Sequence, residues 1–360
     1  MDGIDQVFSL HREGDRSLEA LIHSSCGRVS LDKYGGVDLR DISIRKIPYN
    51  KSYILHIKNE QEPPEELPVK SDSSYIWHHG THVDPVEGYL MFLLYKSKFH
   101  RNVYAPCTIF PGRKQSIRPN VDMALEQTGY CLDGENYVVG GHSQGAIKAN
   151  EASKELPGCY GIEMNNPPTE TDKSCLEFID AACMTGLNDL FRVDLNYLIR
   201  GSSLKGFHLG AVKRAFEDFG GIINFAKEFS DYSMNNYGHN DVPTLFLLSE
   251  YDEFYSPYKE KITRFKELFT NKKNSYLSVE GYHDFMMLNY NPKNVAYCGA
   301  NFHLGTEMEY QFEKPRSSIL PTIASLSLLP LVTFLARRKL KDIERGGYST
   351  PIHEETLEAN

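Results

Sequence analysis

The chain has 360 residues, with 39 lysines and arginines against 48 aspartates and glutamates, which gives a formal net charge of −9. Hydrophobic residues make up 41% and charged residues 24%, so collagen-like, low-complexity and wholly disordered chains are excluded. An acidic chain without blocks of lysine or arginine is also poorly suited to bind nucleic acid, and no such partner is expected.

The cysteines and the N-terminus bear on the cellular environment. Seven cysteines are scattered without a C-x-x-C pair: Cys26, Cys107, Cys131, Cys159, Cys175, Cys183 and Cys298. An odd, dispersed set favours reduced thiols in the core over a disulfide framework or a zinc ribbon. The N-terminus, MDGIDQVFSLHREGD, has neither a basic nor an apolar region, so no cleaved secretory signal is expected.

Short apolar runs alternate with helical patterns along most of the chain. Strands are predicted at 53–57, 75–77, 103–110, 137–139, 160–164, 244–248 and 276–279. Helices are predicted from Pro85, over 119–128 with Gly129 at the end, over 146–156, and after Ser256-Pro257. Strands that alternate with helices at these spacings imply parallel βαβ units.

The helix predicted from Pro85 has a clear start signal. Asp84 is a good N-cap, Pro85 suits the first helical position, and Glu87 completes a capping box. Leu90, Leu93 and Leu94 then form one apolar stripe, which is expected to face the core.

Residues 166–243 interrupt the alternation and are too long for a simple connection. This insert is rich in aromatic residues: Phe191, Tyr197, Phe207, Phe216, Phe219, Phe225, Phe229, Tyr232 and Tyr237. Aromatic residues at helical spacing usually belong to a core, although an apolar lining would also suit an acyl chain.

The pentapeptide Gly141-His142-Ser143-Gln144-Gly145 has the pattern G-x-S-x-G. It follows an apolar strand and opens a helix, which is the context that a nucleophile elbow requires. The glycines are needed because side chains there would collide with the neighbouring strand and helix. The turn lifts the serine oxygen above the sheet, with the positive end of the helix dipole below it.

At these residues the chain resembles the α/β-hydrolase superfamily, over about residues 50–295. The resemblance implies an α/β fold with a mostly parallel central sheet, helices on both faces and a helical cap insertion. The family carries its triad in the chain order serine, acid, histidine, which here corresponds to Ser143, Asp252 and His283. Asp252 and His283 each follow a predicted strand, where the family places them, although the family often has glycine at Ser249.

Chemistry assigns roles to these residues. His283 would take the Ser143 proton and return it to the leaving group, while Asp252 would hold the imidazole tautomer. His79-Gly80 corresponds to the family's oxyanion loop, so the amides of Gln144 and Thr81 are the expected oxyanion donors. No cofactor is expected, because the triad and the oxyanion hole supply the chemistry.

Two alternatives concern the site itself. Glu250 could be the true acid in place of Asp252, which would then be an ordinary loop residue. The segment His78-His79-Gly80-Thr81-His82-Val83-Asp84 is dense in metal ligands and could serve a metallohydrolase. Its spacing matches no known di-metal loop, and Asp84 has a sufficient role as a helix cap.

The C-terminal segment contains an uncharged stretch at 317–336, which is long enough to cross a bilayer. Arg337-Arg338-Lys339 follows, as in an interfacial anchor, but Pro321 and Pro330 weaken the hydropathy. A transmembrane anchor, an interfacial helix and a helix packed on the domain all remain open. The catalytic domain is expected to be cytoplasmic, since no signal peptide is predicted. With an anchor, however, the basic run on the C-terminal side of the stretch points to the opposite orientation, and the sequence does not decide between the two.

The sequence therefore predicts an N-terminal extension (1–45), an α/β-hydrolase domain (46–300) with a cap at about 166–243, and a C-terminal segment (301–360). The predicted activity is a serine hydrolase acting on small-molecule or lipid-like carboxylic esters through an acyl-enzyme on Ser143. A thioesterase or an acyltransferase is the nearest alternative. A non-catalytic, membrane-tethered binding module and a metallohydrolase are the alternatives from other classes.

Overall fold

The computed structural model describes residues 8–9, 42–50, 52–60, 73–81, 83–109, 116–132, 134–169, 173, 177–178, 181, 226–229, 231–232, 234–252, 254–255, 258–279, 283, 292–305, 334 and 338. Nine strands in this part form one sheet: β1 (Phe8–Ser9), β2 (Ile42–Tyr49), β3 (Ser52–Asn59), β4 (Ser74–His78), β5 (Asn102–Pro106), β6 (Tyr137–His142), β7 (Cys159–Asn165), β8 (Thr244–Ser249) and β9 (Ser275–Val279). Their order across the sheet is β1-β2-β3-β5-β4-β6-β7-β8-β9.

The sheet is mostly parallel, as predicted. All neighbours from β5 to β9 pair in parallel, whereas β1, β2 and β3 pair antiparallel at the other end. Because parallel strands end at the same edge, the loops after β4, β6, β7, β8 and β9 all begin at one edge of the sheet. In open α/β sheets this edge is where ligands bind.

Five α-helices with defined bounds in the described chain cover the two faces: α1 (Pro85–Lys96), α2 (Ile117–Leu132), α3 (Gln144–Glu155), α4 (Tyr258–Leu268) and α5 (Pro292–Leu304). A 3-10 helix lies at Met234–Tyr237. Alternate strand residues point to opposite faces. Tyr75 and Trp77 of β4 enter the core beneath α1 and α5, whereas Ile76 enters the core beneath α2, α3 and α4. The predicted mostly parallel sheet with helices on both faces is confirmed.

The start of α1 agrees with the sequence pattern. The Val86 N–H donates to Asp84 Oδ1 at 2.9 Å, so Asp84 caps the helix. Leu90, Leu93 and Leu94 are buried in the core between α1 and the sheet. The start of α1 is therefore set by its cap and its buried face by the leucines. The helix directly follows the loop after β4 in the chain.

Two predicted boundaries differ from the structure. The prediction ended α2 at Gly129, but the helix continues to Leu132, which is buried, and Gly134 with a φ of 82° follows. The strand predicted to reach Phe110 ends at Pro106. The next residue, Cys107, still donates its N–H to the Tyr53 carbonyl of β3, but its own carbonyl is bound by the side chains of Ser52 and Gln127 instead of by a strand.

The sheet and helices cross the boundaries that the sequence suggested for the domain. Strand β2 begins at Ile42, β1 lies at Phe8–Ser9 within the predicted extension, and α5 continues to Leu304. Most of the insert at 166–243 and most of the segment at 317–336 lie outside the described residues, so the domain division stays a prediction. In the part of the chain that the structure describes, no helix combines the length and the apolar character needed to cross a membrane.

Candidate active site

Ser143 occupies the sharp turn between β6 and α3. Its backbone has φ 53° and ψ −122°, a left-handed conformation that a non-glycine residue adopts only under strain. The turn is held because the Ser143 N–H donates to the Asn165 carbonyl and the Ala146 N–H donates to the Ser143 carbonyl, both at 2.9 Å. The structure thus places Ser143, partly exposed, in a strand–turn–helix elbow at the carboxyl edge of the sheet, which is the geometry that the pentapeptide predicts.

The two glycines of the motif allow the close packing of this turn. A Cβ at Gly141 would collide with the Gly145 carbonyl, and a Cβ at Gly145 would collide with the His78 carbonyl at the end of β4. The spacing of the pentapeptide is therefore explained by the approach of α3 to β4 and β6.

We expect the substitution Gly145→Ala to lower the melting temperature by at least 5 °C, because the new methyl group meets backbone atoms that cannot move aside. The control is Gly129→Ala in α2, where the nearest atom to a Cβ is Leu156 Cδ2 at 3.9 Å. Differential scanning fluorimetry of both variants checks this expectation. Equal melting temperatures for the two variants would contradict it.

Asp252 and His283 are in direct contact. His283 Nδ1 lies 3.1 Å from Asp252 Oδ2, although the two residues come from the separate loops that follow β8 and β9. Asp252 also accepts hydrogen bonds from the Phe254 N–H at 3.0 Å and from Lys261 Nζ at 3.3 Å. Its side chain is only 2% exposed.

This environment keeps the Asp252 carboxyl ionised. Burial alone would raise its pKa, but the charges of His283 and Lys261, with the hydrogen bonds from His283 and Phe254, outweigh burial and hold the pKa well below the usual range. Asp252 is therefore a carboxylate at all physiological pH values. An ionised acceptor at this position orients the imidazole with Nδ1 as the donor.

Glu250, the other candidate acid, is placed differently. It lies on the surface just after β8 and accepts a hydrogen bond from Ser278 Oγ at 2.7 Å. The structure therefore brings Asp252, and not Glu250, to the imidazole of His283.

The backbone of His283 is held by two buried side chains. Its carbonyl oxygen accepts hydrogen bonds from His142 Nε2 at 2.9 Å and from Asn166 Nδ2 at 2.6 Å. Since Nε2 of His142 donates, its Nδ1 must accept, and it accepts from the Tyr89 hydroxyl at 3.0 Å. His142 of the motif thus links α1, through Tyr89, to the loop that carries His283.

Tyr255 lies beside both the serine and the histidine. Its ring centroid is 5.7 Å from that of His283. Burial, together with the charge of Asp252, raises the pKa of Tyr255 far above its ordinary value, although a hydrogen bond with the Ser143 side chain lowers it slightly. Tyr255 therefore remains protonated, and it contacts both Ser143 and His283.

The predicted oxyanion loop follows β4. The Gly80 N–H donates to the Tyr89 hydroxyl at 3.0 Å, so Gly80 is fixed against α1. Gln144 is the first residue of α3, so its amide has no acceptor within the helix, as an oxyanion donor requires. Thr81 Oγ1 and Gln144 Nε2 are buried without a partner in the described part of the chain.

One histidine of the candidate metal segment, His79, is engaged in other contacts through both ring nitrogens, whereas His78 Nδ1 is buried without a partner among the described residues. His79 Nε2 accepts the Thr108 N–H at 2.9 Å, so its Nδ1 donates to the Gly80 carbonyl at 2.6 Å. Burial and the charge of Lys148 lower the pKa of His78 to about 3. Asp84 caps α1, while His82 lies outside the described residues. Over the residues that the structure describes, no group of three potential ligands could hold a metal ion.

Sequence reasoning missed Asn166, Lys261, Tyr255 and Tyr89. A usable signal existed for two of them. Asn166 is a polar residue directly after a parallel strand, at the edge where sites form. Lys261 precedes the buried Phe265 by four residues, so it lies on the apolar face of its helix. The contacts of Tyr255 and Tyr89 depend on tertiary packing alone.

The strand order, the helices on both faces and the serine between β6 and α3 define the α/β-hydrolase fold. Solved structures share it at low identity. A membrane phospholipase A, described as a bacterial virulence factor, has 13% identity and a TM-score of 0.51, covering 74% of this chain and 87% of its own. A serine hydrolase involved in carbazole degradation has 12% identity and a TM-score of 0.52, covering 72% of this chain and 98% of its own.

A third similar structure is a candidate lipase from Acinetobacter baumannii, with 12% identity and a TM-score of 0.52, covering 74% of this chain and 92% of its own. No protein-family model and no curated protein sequence matches the chain. At these identities the comparisons establish the fold, and the residues of the site must carry the argument for function.

Proposed function

We propose that the protein is a serine hydrolase that cleaves carboxylic esters through an acyl-enzyme on Ser143. The observation that carries this proposal is a strained serine at the β6–α3 turn that is linked to the buried Asp252–His283 pair: Tyr255 hydrogen-bonds to the Ser143 side chain and lies against the His283 ring. A thioesterase or acyltransferase would use the same residues and stays the nearest alternative. The three similar structures named above support hydrolase chemistry in general.

The proposed reaction follows from the tautomer of His283. Because Nδ1 donates to Asp252, the neutral ring has an unprotonated Nε2 that can take the Ser143 proton. The serine oxygen then attacks the ester carbonyl, and the amides of Gln144 and Thr81 stabilise the oxyanion. The imidazolium returns its proton to the departing alcohol, and a water molecule, activated in the same way, releases the acid.

Aromatic side chains beside His283 support a substantial hydrophobic group on the substrate. The Phe254 ring centroid lies 4.8 Å from that of His283, and Phe178, from the insert, lies 5.1 Å from Phe254. Phe229, also from the insert, stacks on Phe178 at 5.8 Å. The insert therefore brings buried apolar side chains close to His283, and a site beside them suits an acyl chain better than a charged group.

A fluorophosphonate probe tests the activated serine. We expect covalent labelling of the wild-type protein, loss of labelling in Ser143→Ala, and retention in the control Ser278→Ala, an exposed serine on β9. Intact-protein mass spectrometry gives the stoichiometry. Folded wild-type protein that resists the probe would favour the binding module. Activity that resists the probe and is lost with a chelator would favour the metallohydrolase.

Substrate class needs a separate measurement. We expect kcat/KM for p-nitrophenyl esters to rise at least tenfold from acetyl to a medium or long acyl chain, because each added methylene buries apolar surface. The matched thioesters distinguish an esterase from a thioesterase. Equal turnover of acetyl and long-acyl esters would contradict the hydrophobic acyl site.

A further inference from the structure

Lys261 is a buried cation that contacts the acid of the proposed triad. It lies in α4, its side chain is 1% exposed, and Nζ is 3.3 Å from Asp252 Oδ2. His283 Nδ1 uses the same oxygen at 3.1 Å. One carboxylate oxygen thus contacts both the Lys261 ammonium and the His283 imidazole.

A lysine in this position has electrostatic consequences. Burying an ammonium is costly unless a counter-ion accompanies it, and Asp252 is its acidic partner among the described residues. The ammonium in turn stabilises the carboxylate, but it opposes a second positive charge on His283. The two contacts keep the ammonium within about 7 Å of the imidazole, a range at which unit charges interact strongly in a protein interior.

We propose that Lys261 is a positioning and tuning residue: it holds Asp252 toward the imidazole and makes His283 easier to keep neutral. This inference rests on the proposed serine-hydrolase function. It predicts that the proposed base is unprotonated, and the site competent, at a lower pH than an aspartate–histidine pair alone would allow.

The other described groups around His283 do not disfavour a positive charge on its imidazole in the way that Lys261 does. His142, whose ring centroid is 5.0 Å away, donates from Nε2 to the His283 carbonyl and accepts at Nδ1 from Tyr89, so both ring nitrogens are occupied in the neutral form. Tyr255 remains protonated and uncharged. Asp252 favours the imidazolium. Among the described groups at this pair, Lys261 is therefore the cation that opposes protonation.

The test is the pH dependence of kcat/KM, or of fluorophosphonate labelling, for Lys261→Met and Lys261→Arg. The acid limb is the part of the profile in which the rate falls as the pH decreases. In Lys261→Met we expect this limb to move to higher pH by about one unit, so that at acidic pH the rate is about tenfold lower than in the wild type. Lys261→Arg keeps the charge, so its limb should stay at the wild-type pH. The control Lys266→Met removes an exposed lysine of the same helix and should not move the limb.

The position of the limb separates tuning from a merely structural role. Loss of stability changes the amount of active protein, so the folded fraction is measured at each pH by circular dichroism and the rates are corrected for it before the midpoint is compared. Lys261→Gln, which keeps a donor without the charge, supplies a second neutral variant. A limb that stays within 0.3 units of the wild type in every folded neutral variant would overturn the inference. Failure of Ser143 to react with the probe would instead overturn the proposed function.

Discussion

In the substitution Asp252→Asn, we expect kcat to fall about 10⁴-fold at neutral pH, with a much smaller change in KM. The Phe254 N–H donates to Asp252 Oδ1, so the asparagine oxygen would take that position and its NH2 group would face His283. An NH2 group there forces Nδ1 to become the acceptor, and Nε2 then carries the proton. The ring could no longer take a proton from Ser143.

The matched control is Glu250→Gln, which removes an exposed carboxylate two residues away and should leave kcat unchanged. Steady-state kinetics on a p-nitrophenyl ester, with circular dichroism to verify folding, provide the measurement. In Asp252→Asn the new NH2 group, a hydrogen-bond donor, also faces the Lys261 ammonium, so the melting temperature of the variant should fall as well. Should a folded Asp252→Asn protein keep more than a tenth of wild-type kcat, Asp252 does not orient the proposed base.

Local sequence patterns predicted the scaffold around this site well. The apolar strands at 75–77, 137–139 and 244–248 are entirely buried, and the capping residue Asp84 starts α1 as expected. These features depend on side-chain periodicity and on backbone hydrogen bonds within a few residues. The pentapeptide around Ser143 was recognisable for a similar reason: the strand, the turn and the helix that it joins are contiguous in the chain.

The remaining features depend on contacts between distant segments. The order of the strands, with β5 outside β4, is set by pairing partners that no local pattern encodes. Gly129 was expected to end α2, but burial of Leu132 favours three more helical residues. Asn166 and His142 meet at the carbonyl of His283, which is more than 100 residues away from either. Such convergence is visible only when the sheet is assembled.

A buried ionic cluster lies on the face of the sheet opposite to α3. Glu163 of β7 accepts from Lys96 Nζ at 2.5 Å, from the Tyr75 hydroxyl at 2.8 Å and from His303 Nε2 at 3.2 Å. Lys96 is fully buried and Glu163 is 1% exposed. Lys96 ends α1 and His303 lies in α5, so one carboxylate joins both helices to the centre of the sheet.

Replacing Glu163 by glutamine should lower the free energy of unfolding by about 3–5 kcal/mol, because it leaves the Lys96 ammonium buried without its counter-ion. Urea denaturation monitored by the fluorescence of Trp77, which is buried nearby, measures this change. The control is Asp122→Asn, which breaks the exposed Arg118–Asp122 pair and should cost less than about 1 kcal/mol. Similar losses in the two variants would show that the buried cluster contributes no more than a surface pair.

The same cluster gives the stability a defined dependence on pH. Burial alone would raise the pKa of Glu163, but the charge of Lys96 and the contact with His303 outweigh burial and lower the pKa to about 2 from 4.5. Because the folded pKa lies below the unfolded one, the stabilisation is complete above about pH 4.5 and is lost as the pH falls toward 2. Glu163→Gln cannot titrate at this position, so the stabilities of the wild type and the variant should differ most at neutral pH and converge on acidification. A difference that stays constant from pH 6 to pH 3 would mean that the carboxylate charge is not what stabilises α1 and α5 against the sheet.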